Sequence, residues 1–477
     1  MARPPALLFA LWTLACVGGS EARDETVRSV FGRADEALLR SRPALTASRY
    51  ARMAASPVAF YRGQMALFLQ DWRDTSTGLS RSSFAHDLPM PLGVGDPHVE
   101  NFGTLVGRAG DVTLESNDLD GADRVPFLWD LRRLTVGLCV AARAANGDSL
   151  TAQRALTDAS GAVVRAAALA YADALRPEVM APRAEVPVGT VLDDLFRRAR
   201  RDVPRRTELD ERTTLTAGVR RLVRGPIDPD DPANVQAELP AWATASLPAL
   251  LASYRLTLVS PPDAGYFTVL DAVREFGSGV ASLPRVRVIA LVRGPTDAPD
   301  DDVLLEVKEQ TDAITPGAPP PTVFAESVPA RVLAARAALW SRVDADPLWG
   351  TGVWWGAPVQ VRRETGGAKS VRVARMTGPL GTPEALTALA QVLASRLAHM
   401  HRRTLPSPAP QLARIAANPQ AFAREEADVA VRYAAVVFDD HARFARLVMT
   451  YGPTLGFPHD AIDVPNAAIR SLFGTPP

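Results

Sequence analysis

The hydrophobic period changes twice along this chain, and that limits the folds open to it. Residues 25–75 carry apolar positions at helical spacing, as in VRSVFGRADEALL and AFYRGQMALFLQDW. The same spacing runs through FLWDLRRLTVGLCVAARAA at 127–145 and through residues 151–174. Then the period drops to two. VRVIALVRG (286–294) and DDVLLEVKE (301–309) read as an antiparallel pair of strands separated by GPTDAPDD. VWWGAPVQVRRE and KSVRVARM read as further strands. From Glu384 the helical period returns, in ALTALAQVLASRLAHMHRR and FAREEADVAVRYAAVVFDDHARFARLVMTY. The stretch 179–262, rich in Arg, Asp and Pro, reads as short helices joined by loops. The expectation is an α+β fold with a large helical lobe and a smaller β-rich lobe. A helical lobe would span 23–262 and a β-rich region 263–380, with C-terminal helices at 381–477 packing back on the helical lobe.

With 477 residues, 47% of them hydrophobic, the chain has enough apolar mass for a large core in two lobes. Lys plus Arg and Asp plus Glu both total 53, so no long-range field draws nucleic acid, and none is expected as a partner. At the N-terminus Arg3 precedes PPALLFALWTLACVGG, a positive start with a short apolar run and small residues near Ala22. This reads as a signal peptide over 1–22, and the run is too short for a transmembrane span. Cleavage after Ala22 is one outcome; a lipid anchor at Cys16, in TLAC, is the other. Either implies export to the periplasm or beyond. The second cysteine, Cys139, lies in an apolar helical pattern and reads as an inert core thiol, so no cysteine-based zinc site is expected.

The chemistry concentrates in GVGDPHVENFG, residues 93–103. Phosphoryl transfer needs a carboxylate to orient or deprotonate the acceptor hydroxyl, an amide oxygen to help hold a metal, and a second carboxylate on that metal. Asp96 and Asn101 have the five-residue spacing of the base and metal-binding Asn in a kinase catalytic loop. VTLESNDLDG follows, a strand at 112–116 with Asn117, Asp118 and Asp120 at its exit. Asn101, Asp118 and Asp120 form an oxygen-rich set that suits Mg²⁺ or Mn²⁺ better than zinc. His98 reads as a loop organiser or a catalytic partner of Asp96, because a lone His without a partner at i+4 is a weak metal signal. The bland alternative for the whole stretch is a polar turn or helix cap. Further on, Gly277 and Gly279 precede a strand, and LLEVK ends on Lys308, where a phosphate-pairing lysine would sit. Glu306 or Glu309 could instead be a surface partner for Lys308. Pro284 removes one backbone donor from the glycine segment. Arg62 and Arg133, on otherwise apolar helical faces, read as closing buried pairs with Asp96 or Asp130, with phosphate contact the alternative.

Several segments together carry a resemblance: RYARMAASPVAFYRG, GDPHVENFG, NDLDGADRVPFLWDLRRL, GSGVASLPRVRV, LLEVKE, LASRLAHMHRR and YAAVVFDDHARF. With these, the chain resembles the DUF2252 family of bacterial proteins over about residues 48–445. That family looks like a rearranged relative of the protein-kinase-like fold, akin to aminoglycoside and choline phosphotransferases, here with the lobe order circularly changed. The resemblance implies Asp96 as catalytic base, Asn101 and Asp118 as metal ligands and Asp120 as an auxiliary one. Asp130 and Arg133 would tie a helix to the catalytic loop, and Lys308 would pair with the phosphates of ATP or another nucleotide. His401 matches a family motif without an assigned role. The function so implied is phosphoryl transfer, with a divalent metal and a nucleotide, to a hydroxyl of a small molecule or protein. The alternatives are a non-catalytic kinase-like protein of the cell envelope, and a metal-dependent phosphoester hydrolase using Asp96, His98 and Asp118. ATP is scarce outside the cytoplasm, so export and free ATP as donor sit poorly together.

Overall fold

The computed structural model describes residues 21–458 apart from 85–89, 148, 177, 180–188, 228–232, 317–326 and 406–409. The expected leader, with Cys16, lies outside these residues except for Glu21 and Ala22. Among the described residues no helix is long and apolar enough to cross a membrane.

Helices form the larger layer. Among them are α1 (21–34), α2 (Pro43–Ala55), α3 (Pro57–Gly63), α4 (Met65–Arg73), α5 (Phe127–Ala144) and α6 (Leu150–Ala174), with α7 given below; α8 (Pro383–Thr404) and α9 (Pro419–Tyr451) follow the sheet. Proline opens α2, α3, α8 and α9, where its missing N–H is one the helix would leave unpaired anyway. The centre is α5, buried continuously from Phe127 to Ala142 and packed on α6, α8 and α9. A helix apolar on all sides must be surrounded. The charges α5 does carry in that stretch, Asp130, Arg132 and Arg133, are each paired inside the core. Arg132 meets Glu426 of α9 through two bonds of 3.0 and 2.7 Å, and its Nη1 donates to the carbonyls of Leu79 and Arg81. At one side α1 closes against α9. Phe31 and Phe444 lie 4.9 Å apart between ring centroids, and Arg23 binds both Asp71 and Asp440.

The β layer starts with a hairpin, β1 (Phe102–Val106) and β2 (Val112–Ser116). A separate sheet holds β3 (Gly225–Pro226), β4 (Val235–Glu238), β5 (Val269–Phe276), β6 (Arg287–Val292), β7 (Val303–Glu309), β8 (Gly350–Trp354) and β9 (Ala357–Glu364). Its order is β8-β9-β7-β6-β5-β4-β3, and every neighbouring pair is antiparallel. The protein is therefore α+β, as the change of period implies. All of β7 is buried. Val303, Leu305 and Val307 share a core with Leu247, Leu250 and Tyr254 of α7 (Ala241–Arg255). Leu304 joins a smaller cluster on the other face with Val273, Ile289 and Leu291. Both faces are covered, so apolar residues fill consecutive positions at 303–305, and the charged Glu306, Lys308 and Glu309 that follow are each paired in the interior.

Two stretches differ from the expectation. Residues 179–262 are not helices and loops alone. Thr213–Thr216 pairs with Val219–Leu222, and β3 and β4 join the large sheet ahead of residue 263. Strands of two to four residues are too short to show a period of two. KSVRVARM is not a strand either. Ser370 makes one bridge to Gly103, and Val373–Arg375 is a 3₁₀ turn. Its backbone is drawn to the 93–103 loop, where the Val373 N–H donates to Glu100 at 2.8 Å. Within the β-rich region Val269–Phe276 is a strand that the sequence reading does not mark, and Gly277 and Gly279 lie between it and β6, ahead of a strand as expected.

Because Arg132 and Glu426 are both fully buried, deleting one strands the other's charge. Glu426→Ala is expected to cost about 3–5 kcal/mol in urea unfolding. Arg132→Met with Glu426→Leu should recover part of it; equal losses for the single and double variants would show that the pair itself is not what is being lost.

Candidate functional site

The 93–103 loop is held by α5. The Asp130 carboxylate, in the first turn of α5 and fully buried, accepts the N–H of Val94 at 2.7 Å and of Gly95 at 2.9 Å. The Trp129 indole N–H donates to the Gly95 carbonyl at 2.6 Å. His401 of α8 completes the clamp, with Nε2 3.1 Å from Asp130 and Nδ1 2.7 Å from the Tyr171 hydroxyl. A carboxylate can only accept, so Nε2 carries the proton and Nδ1 accepts from Tyr171. This assigns His401 a role that its motif alone did not. Gly95 has φ +82°, and a Cβ there would stand 1.8 Å from the Gly121 carbonyl oxygen. The loop thus lies directly against the backbone of the NDLDG turn.

One residue beyond Gly95, Asp96 receives Arg133 Nε at 2.7 Å, and Arg133 in turn donates to the Tyr61 carbonyl and stacks on the Tyr61 ring. Burial raises the Asp96 pKa and Arg133 only partly opposes it, so the net shift is upward. His98 stands 3.9 Å from Asp96. Burial, with Arg62 and Arg133 nearby, drops its pKa well below the usual value, which keeps it neutral. Its Nδ1 is buried without a hydrogen-bond partner. Arg62 pairs not with an aspartate but with Glu100, at 2.7 Å, and Arg372 reaches the same carboxylate at 3.4 Å.

Asn101 is bonded through Nδ2 to the carbonyls of Asp96 (2.9 Å) and Asp118 (3.2 Å), while its Oδ1 is buried with no partner. Asp118 Oδ1 accepts the Asp120 N–H at 3.1 Å. Lys308, on β7, lies between the two aspartates, its Nζ 3.0 Å from Asp118 and 2.7 Å from Asp120. Burial lowers the lysine pKa, yet the two carboxylates outweigh it and the net shift is up. Asp118 is shifted down: burial pushes it up, but Lys308 prevails. Asp120 is shifted up by burial and by the charge of Asp118. Neither Glu306 nor Glu309 is the partner of Lys308. Glu306 takes Arg287 (2.8 Å) and Arg362 (3.3 Å), and Glu309 takes Arg42 (2.8 Å).

The structure brings these groups together. A cleft of about 680 Å³ is lined by Asn101, Asp118, Lys308, Gly277, Gly279 and the arginines around them. Asp96 and Asp120 border an adjoining chamber of about 170 Å³, which shares His98, Asn101, Asp118 and Lys308 with the cleft. Gly277 and Gly279 both have φ +79°, and their carbonyls accept from Arg52 at 2.7 and 2.9 Å. Among the described residues no group of three His, Cys, Asp or Glu side chains is arranged to hold a metal. Two carboxylates and the unpartnered Asn101 oxygen do fit a hard divalent cation that keeps water in its shell. Asp118 has 42% of its side chain exposed on the cleft. Arg52, Glu100, Arg287 and Arg362 were not singled out from the sequence, since nothing in their spacing marks them before the sheet register is known.

An α+β chain with an acidic loop facing a lysine-bearing antiparallel sheet is the class these features define. A family model described as an uncharacterized protein conserved in bacteria (DUF2252) matches residues 40–447, and the chain belongs to that family. No curated protein and no solved structure matches it.

Two measurements check this geometry. Asp130→Asn keeps the shape but offers one acceptor oxygen to three donors. It should lower stability by about 1–3 kcal/mol and speed amide exchange at Val94 and Gly95. Unchanged exchange there would remove Asp130 as the loop's anchor. At the end of β9, burial and the neighbouring Glu306 raise the Glu364 pKa to about 7. The folded state then keeps a proton that the unfolded chain loses, so this group makes stability fall as pH rises from about 4.5 to about 7. Glu364→Gln should flatten that part of the stability–pH curve.

Proposed function

We propose that this protein is a phosphotransferase of kinase-like, circularly rearranged architecture, acting with Mg²⁺ or Mn²⁺ and a nucleotide on an alcohol acceptor. One observation carries the reading: the β5–β6 glycine connection, Lys308, Asn101 and Asp118 line one cleft, and Asp96 stands beside it. A glycine-bearing hairpin followed by a lysine on the next strand supports the comparison with a nucleotide lobe. In the linear sequence that unit comes after the catalytic loop instead of before it.

Each side chain then has a definite task. Six cations line the cleft, Arg52, Arg62, Arg287, Lys308, Arg362 and Arg372, against the carboxylates Glu100, Asp118 and Glu306. That excess suits a polyphosphate. Asp96, with a raised pKa and an orientation fixed by Arg133, accepts the proton of the attacking hydroxyl. Neutral His98 borders both chambers and orients the acceptor through its unpartnered nitrogen. Asn101 and Asp118 would hold the metal, with Asp120 beside them; when bound it neutralises phosphate charge. The exported location inferred from residues 1–22 belongs to this proposal too. It requires a donor found outside the cytoplasm, or a leader that is not used.

A second reading, a binding protein without turnover, draws on the closed Lys308 contact with both aspartates. One experiment separates them. Residues 23–477 are titrated with ATP and ADP with and without Mg²⁺, alongside Asp96→Asn and Lys308→Ala. The phosphotransferase reading expects metal-dependent binding, weakened by Lys308→Ala. Asp96→Asn should keep binding and lose about 10²–10⁴-fold in phosphate release or transfer. Absence of nucleotide binding by the wild-type protein sinks it, and binding without any release or transfer favours the second reading.

A further inference from the structure

Only two of the 53 basic residues in this chain are lysines, Lys308 and Lys369; the rest are arginines. Arginine fills every other buried cationic position described above. A lysine at the centre of the cleft therefore stands out chemically. Its ammonium is a compact charge on a flexible stem with rotatable donors, able to change partners without breaking a planar fork.

The surroundings of Lys308 leave it few partners. Its side chain is 7% exposed. Its register neighbours, Arg287 on β6 and Gln360 on β9, carry no negative charge. Glu306, two residues away on the same face, is occupied by Arg287 and Arg362. Asp118 and Asp120 are thus its counter-charges. They are also two of the three oxygen donors that would hold a divalent cation, the third being the unpartnered Asn101 oxygen. The ammonium and a metal ion compete for the same carboxylates.

We propose that Lys308 is an exchangeable counter-ion that interlocks the metal and polyanion subsites. In the ligand-free chain it neutralises Asp118 and Asp120. A divalent cation that takes the two carboxylates releases the ammonium into the cleft, where the phosphate chain of a nucleotide becomes its partner. Two carboxylates with one ammonium leave a net charge of −1. With a divalent ion they are neutral, and the freed lysine adds +1 to the cleft's cations. Each ligand therefore strengthens binding of the other by the same factor, as linkage requires. This inference rests on the phosphotransferase reading for the identity of the polyanion, while the lysine–metal exchange stands on the contacts alone.

The scarcity of lysine makes the test direct in the wild-type protein. Residues 23–477 are treated briefly with acetic anhydride, and modification of Lys308 is read by mass spectrometry. Lys369 serves as internal reference, because it pairs with Asp202 at 3.0 Å and does not line the cleft. With chelator present, Lys308 should be the less reactive of the two. Mg²⁺ or Mn²⁺ alone should raise its modification at least several-fold, and metal with ATP should suppress it again. Asp120→Asn, which removes one anchor, should raise the chelator baseline and blunt the response to metal. No change with metal alone overturns the interlock. A rise with metal that ATP does not reverse leaves the lysine–metal exchange in place and counts against the nucleotide reading instead.

Discussion

Asp130 sits in the first turn of α5 with no exposure and accepts two backbone N–H groups of the 93–96 segment together with the imidazole of His401. Buried carboxylates are costly unless all their oxygens are used, and here the donors come from two stretches of chain far apart in sequence. Those donors fix where α8 and the loop stand relative to α5. Tyr171 extends the same chain of bonds to α6. Asp96 is placed by this clamp, one residue beyond Gly95, and Arg133, one turn further along α5, then sets its orientation.

The cleft walls are built differently. The loop side is organised by hydrogen bonds to backbone, whereas the sheet side is organised by charge. Glu306 on β7 pairs with Arg362 directly opposite on β9 and diagonally with Arg287 on β6, which itself stands opposite Lys308. In the low dielectric of such a wall, one unbalanced charge matters more than it would on the surface. The arginines share too few carboxylates there, so the wall keeps a standing positive bias toward the open space. The acidic turn at 118–120 meets it through Lys308, which bridges both aspartates, and through Gln310, which donates to Asp120 at 3.4 Å.

Most of the helical architecture is legible in the sequence, because long apolar periods survive any local irregularity. The segment Phe127–Ala144 and the strands around Val286–Glu309 fall where the periodicity puts them. The short strands of the 213–238 region are not legible, since pairing rather than their own pattern defines them: Thr213–Thr216 pairs with Val219–Leu222, and β4 lies between β3 and β5. At the site, Asp96, Asn101, Asp118 and Asp120 stand out by spacing, and the fold does collect them with Lys308 and the two glycines. What spacing cannot show is the choice of partner. Glu306 and Glu309 are adjacent to Lys308 in sequence, but strand alternation turns Glu309 to the opposite face and two arginines claim Glu306. The 369–376 segment fails as a strand for a related reason, being captured by Glu100 from a loop far away in the chain.

The contact of α1 with α9 has a consequence for how the molecule assembles. Arg23 and Asp440 are 417 positions apart, and Phe31 meets Phe444 in the same seam. The helical layer cannot close until α9 has been made and has reached α1, so its last wall waits for nearly the whole chain. During synthesis the N-terminal helices are left without the partner that buries them.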